Sequence, residues 1–332
     1  LGNGQHLRRY LGMGIGHQSE VSKLGPQGRA QGHAGSAPNA QRVFRAQENL
    51  GGPTFFVGQL GGLDARMAIP GLLALPPVVN RSKHDDAARI IEVKQTTPAA
   101  TASIDWAGFS RTWGKEIQFF TIIMGQVRVD YEHGWWKTKN ADGSESIRVG
   151  YIDEAHLASL DPRMPLDQVL LQLPVVTDYK YDSVARLIGV DPVAAVVFVD
   201  FASFLFSRTR EEQIFGVFKG QPRVVEDRSH TQSRAVDGAL SIRVGFVSAA
   251  QLAALDPTIS LAALVALAPV VTRYHYDSEA RVISVDDAVA ATASLDWAGF
   301  SRTLGWDAQS FLVSLGQVRP KEETARAKTI SV

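Results

Sequence analysis

The sequence predicts an α+β fold: three tandem, strand-rich mixed repeats of about 95 residues with short helices, for which a pseudo-threefold arrangement is one solution. Three matches carry this expectation. "SIRVGYIDEAHLASLDP" at 146 is answered by "SIRVGFVSAAQLAALDP" at 241, 95 residues on. "PVVTDYKYDSVARLIGVD" at 174 is answered by "PVVTRYHYDSEARVISVD" at 269. "DWAGFSRT" at 105–112 returns letter for letter at 296–303, with "DFASFLFSRT" at 200–209 between them.

In chain order, residues 1–54 read as a flexible Gly/Arg/Gln-rich arm. Six basic residues (Arg8, Arg9, Lys23, Arg29, Arg42, Arg45) face two acids (Glu20, Glu48), with few large apolar groups to offset ordering entropy. A degenerate first repeat follows at 55–128, where "PVVNRSKHDDAARIIEV" keeps the frame and loses both tyrosines. Bridging hairpin and repeat two occupy 129–223, bridging hairpin and repeat three 224–319, and a polar tail 320–332.

Within a repeat, "SIRVGYI" alternates as a strand. Asp153 or Ser248 then caps a short helix that an Asp-Pro step ends. A second short helix gathers Leu166, Val169, Leu170 and Leu173 on one face, matched by Leu261, Leu264, Val265 and Ala268. "VVTDYKYDSVARLIGV" reads as a hairpin turning at Asp-Ser-X-Ala, with Val175, Thr177, Tyr179 and Tyr181 on one face. "ATASLDWAGF" is a further strand. Segments 115–124, 210–219 and 306–315 fit a helix with a glycine C-cap, and their aromatic and β-branched content fits a strand equally. Asp142-Gly143 and Asp237-Gly238 mark the turns of hairpins that bridge neighbouring repeats.

Composition excludes several classes. Lysine plus arginine equals aspartate plus glutamate at 34 each, so nucleic acid is not an expected partner except through the basic arm at 1–50. The 332 residues contain no cysteine, which removes disulfides and thiolate chemistry and leaves the compartment undetermined. No apolar run reaches the ~18 residues of a membrane-spanning helix. The histidines show no ligand spacing, so neither a metal nor a cofactor is expected. "DEAH" at 153–156 lacks the P-loop that would give it meaning.

Two candidate constellations remain. The first joins Asp105 to Arg111, Asp200 to Arg208 and Asp296 to Arg302, with Ser110/Ser207/Ser301 and Thr112/Thr209/Thr303 alongside. A nucleophilic serine needs a base within reach, and no histidine or lysine recurs beside it, so these residues read as structural brackets rather than catalytic groups. The second is the bridge "VDYEHGWWKTK", whose Tyr131, Trp135 and Trp136 put aromatic rings on both strand faces. Those rings form either a binding surface or packing against a neighbour.

The leading expectation is a non-enzymatic structural or assembly component, a shell, particle or filament subunit, that binds itself or a partner protein. The alternatives are a hydrolase-like enzyme where the three Ser-Arg-Thr segments converge, and a carbohydrate- or protein-binding module using Trp135 and Trp136.

Overall fold

The computed structural model describes residues 60, 62–104, 110–151, 160–201, 204–246, 248–314 and 317–331. All belong to one unit, Val57–Val332. The arm at 1–54 lies outside the described residues.

The α+β expectation is overturned: strands make up 61% of the structure and helix 8%, so the protein is mostly β. The helices α1 (Ile69–Leu73), α2 (Leu166–Val169), α3 (Ala249–Ala254) and α4 (Leu261–Val265) have at most six residues each. Sequence signals for their starts are real: Ser248 and Gln251 form a capping box on α3, and Ser260 accepts from the Ala263 N–H on α4. Single turns cannot form a layer of their own, so they act as covers on the sheet.

The ambiguous segments decide the fold class. All three are strands of long hairpins: β4 (Ser110–Ile123) with β5 (Gln126–Asn140), β10 (Leu205–Phe218) with β11 (Gln221–Ala235), and β16 (Ser301–Ser314) with β17 (Gln317–Ser331). Gly125 and Gly220 are not helix caps. Met124 and Gly125 have φ of 51° and 75°, and Lys219 and Gly220 have 49° and 73°. Two successive residues with positive φ make a two-residue turn whose twist suits a hairpin.

The remaining strands are β1 (Asn80–His84), β2 (Ile90–Gln95), β3 (Ala99–Ile104), β6 (Glu145–Gly150), β7 (Val175–Tyr181), β8 (Leu187–Val190), β9 (Val193–Phe201), β12 (Leu240–Gly245), β13 (Val270–Tyr276), β14 (Val282–Val285) and β15 (Ala288–Leu295). Their antiparallel pairings give one continuous run, β3-β4-β5-β6-β9-β10-β11-β12-β15-β16-β17. On the edge away from its hairpin partner, each of β5 and β11 serves two strands. Trp136–Lys139 pair with β6 and Tyr131–Gly134 with β7; Thr231–Arg234 pair with β12 and Glu226–Ser229 with β13.

Core residues are spread along this ladder rather than gathered in one centre. Ile147 and Val149 on β6, Ile242 and Val244 on β12, Val169 on α2 and Leu264 on α4 are all 2% exposed or less. The glycine ending "SIRVG" has a steric cause. Gly150 donates its N–H to Leu173 O (2.9 Å), and a Cβ there would lie 2.1 Å from Pro174 O. Gly245 repeats this with Ala268 O (2.8 Å) and Pro269 O (2.1 Å), so the backbones cross where no side chain fits.

Candidate functional site

The recurring hydroxyls pair across their own hairpins. Thr112 Oγ1 meets Thr138 Oγ1 at 2.8 Å, Ser207 Oγ meets Ser233 Oγ at 2.7 Å, and Thr303 Oγ1 meets Thr329 Oγ1 at 2.8 Å. Such cross-strand pairs stabilise a sheet modestly and leave no activated nucleophile. Four strand spacings separate β4 from β10, and four separate β10 from β16, about 19 Å along the ladder at ~4.8 Å each. The three Ser-Arg-Thr segments are therefore spaced out rather than convergent.

Asp296 serves its own turn. Its carboxylate accepts the Phe300 N–H (2.8 Å), while its backbone N–H donates to Ser301 O (3.0 Å). Desolvation raises the carboxyl's pKa, and hydrogen bonds from Ser301, Phe300 and Gly299 together outweigh it and hold the group below its ordinary range. Among the described residues no ion pair joins it to Arg302, whose Nε and Nη2 are buried without a hydrogen-bond partner. The bracket between Asp296 and Arg302 is thus corrected to a loop cap: a short aspartate bonds its local backbone more readily than a cation on the following strand. Arg111 is exposed on β4, and Arg208 stands 5.5 Å from the Phe206 ring. Asp105 and the Asp200 side chain lie outside the described residues.

A different Asp–Arg pair is repeated three times. Arg89, Arg186 and Arg281 each donate Nε to the Oδ2 of Asp85, Asp182 and Asp277, at 2.7, 2.7 and 2.8 Å. The other oxygen of each aspartate accepts backbone N–H groups two and four residues on. These contacts hold Ala88, Ala185 and Ala280 at φ of 60–64° in the tight turns of the short hairpins.

The aromatic bridge is mostly packing. Trp135 is 6% exposed and donates Nε1–H to Gln172 O (2.6 Å) in the segment after α2. Trp136 is half-buried against Val175 and Val193, close enough to Gly134 that a Cβ there would meet its ring at 2.1 Å. Tyr131 stacks on Phe119 with centroids 4.2 Å apart, and His133 sits beside both rings. Sequence spacing alone leaves the faces open; the covering segment at 160–174 closes one of them.

Residues that recurrence did not single out form the polar machinery of the sheet. Arg148 on β6 reaches Glu211 (2.9 Å) and Gln213 (3.1 Å) on β10, and Arg243 on β12 reaches Asp307 (2.7 Å) on β16. The equivalent acid of the first hairpin, Glu116, has no such ion pair among the described residues. Burial and the neighbouring Glu132 push it up to about 7 against a hydrogen bond from Trp136. Asp227 is likewise raised to about 7 by burial and Glu211, with Arg148 opposing.

One cross-strand position differs most between hairpins. It holds Lys115 opposite Trp135, Arg210 opposite His230, and Trp306 opposite Arg326. Lys115 Nζ lies 4.8 Å from the Trp135 ring, and the Arg326 guanidinium lies 5.6 Å from that of Trp306. In the middle hairpin Arg210 instead lies over Tyr151 (5.1 Å), and His230 donates Nε2–H to Leu267 O (2.8 Å), as Trp135 does to Gln172. An imidazole stands where the first hairpin has an indole, and a cleft of about 170 Å³ opens between the hairpin and α4. Among the described residues no cluster of three His, Asp or Glu is placed to hold a metal, and no helix is long and apolar enough to cross a membrane. Compared with protein-family models, curated proteins and solved structures, the chain matches none.

Proposed function

We propose that this chain is a non-enzymatic structural component that assembles with copies of itself by pairing strand edges. The observation carrying this reading is β17. The outer edges of β5 and β11 are each occupied by two short strands, whereas among the described residues β17 pairs with β16 alone. Its residues from Arg319 to Ser331 are exposed. An edge of that length, unpaired among the described residues, presents a row of backbone donors and acceptors, which nature either blunts or uses.

Charge placement suits an antiparallel pairing of two copies. In an antiparallel pair of β17 strands centred on Thr324, Glu322 faces Arg326 of the second copy, and the twofold axis makes the same pair again. Pro320 cannot donate to a ladder and confines the pairing to residues beyond it. Registers that bring Glu322 opposite Glu323, or Lys321 opposite Lys328, place like charges together and are disfavoured. The use of recurring polar residues in hydroxyl pairs, turn caps and Arg–acid clamps supports a scaffold over an enzyme.

Sedimentation velocity of the full chain over a hundredfold concentration range tests the reading. The expected result is a monomer–dimer equilibrium; a single monomer species throughout would remove it.

A further inference from the structure

The middle hairpin places its cation, Arg210, beside a cleft. Four ionisable groups line its cleft, Arg210, Glu212, Arg228 and His230, and Val265 and Leu267 from the α4 segment form an apolar wall. Arg228 is held by Glu226 (2.6 Å) and lies 3.6 Å from Glu212, while Arg273 also binds Glu226 (2.9 Å). Two cations are thereby matched by two carboxylates. His230 is 4% exposed, and burial lowers its pKa, favouring the neutral ring that donates to Leu267. Arg210 is left over. It lines the cleft with its guanidinium over the Tyr151 ring, and among the described residues no carboxylate forms an ion pair with it.

A half-buried guanidinium without a carboxylate partner is costly, and an anion in the cleft beside it would satisfy it. The size of the space narrows the class. A cavity of ~150 Å³ is known to take a benzene-sized guest, and this cleft is comparable at about 170 Å³. Arg210 and Arg228 outnumber the Glu212 carboxylate in its lining, and Val265, Leu267 and Pro269 supply apolar surface.

We propose that the cleft between β10–β11 and α4 binds a small organic carboxylate, its oxygens on Arg210 and its apolar body against Val265 and Leu267. The site is independent of the β17 edge and stands whether or not the chain self-associates. In the first hairpin Trp135 stands at the His230 position, and in the third Trp306 stands at the Arg210 position.

The experiment is calorimetric titration of the full chain with benzoate, repeated for Arg210→Met and His230→Trp. The second variant plugs the cleft as Trp135 does in the first hairpin and keeps a ring N–H for Leu267 O, so it is designed to remain folded. Thermal unfolding of each variant confirms the fold before titration. Saturable benzoate binding to the wild type, weakened at least tenfold in both variants, is the expected result. No saturable binding to the wild type, or binding retained by folded His230→Trp, would overturn the assignment.

Discussion

Arg148 on β6 reaches across β9 to the carboxylate of Glu211 on β10, 2.9 Å away, and both side chains are about one-fifth exposed. This contact ties β6 to the middle long hairpin across the strand that lies between them. Removing the arginine leaves Glu211 and the nearby Asp227 without their cation in a partly dry setting. Arg148→Met is therefore expected to destabilise by about 2 kcal/mol, in the range of hydrogen bonds to charged groups. Urea unfolding measures it, and a change below 0.5 kcal/mol, the usual scatter of surface substitutions, would assign the clamp no structural weight.

Glu116 gives the pH test. Its folded pKa, about 7, lies above the ordinary value of 4.5, so the folded state binds more protons between those limits. Stability from this group is full below about pH 4.5 and declines as pH rises through about 7. Glu116→Gln should remove that decline and stabilise the protein at pH 8 relative to pH 5. An identical pH dependence in wild type and variant would show that Glu116 titrates normally.

Glycine at the end of β12 is expected to be intolerant. A Cβ on Gly245 would lie 2.1 Å from Pro269 O, a backbone atom that cannot swing aside. Gly245→Ala should cost ~3 kcal/mol or more, at the upper end for overpacking. Gly134→Ala meets the movable Trp136 ring instead, so its cost should be smaller and be accompanied by a change in tryptophan fluorescence. Equal costs for the two would contradict this distinction.

Much of the fold was legible, and the misreadings have physical causes. Strand alternation in "SIRVG" and "PVVTDYKY" identified β6 and β7, and the Ser248 cap was readable because capping is local. The fold class was not. "EIQFFTIIMG" carries an apolar pattern that both helix and strand satisfy, and only the mirror-image turn at Met124-Gly125 decides for strand. The Asp296 bracket failed because recurrence in sequence cannot tell a residue that pairs across space from one that bonds its own turn. Arg148 and Glu211 are 63 positions apart, and no local signal connects them. Of the cleft residues, Glu212, Arg228 and His230 stand where the first hairpin has Ile117, His133 and Trp135, and such differences in sequence do not by themselves reveal a cavity.

Asp296 and Arg302 provide a direct check on the corrected role. If Asp296 caps its loop without engaging Arg302, the effects of Asp296→Ala and Arg302→Met on unfolding should add within about 0.5 kcal/mol. Coupling well beyond that limit would restore the bracket.

Light scattering of charge-exchanged β17 variants tests the assembly most directly. Wild type at micromolar concentration should have the mass of a dimer, and Glu322→Lys should shift it to monomer by placing like charges opposite each other. Adding Arg326→Glu to that variant should restore the dimer, because the facing pair is then opposite in sign again. Monomer in all three proteins, or dimer in all three, would contradict pairing through the β17 edge.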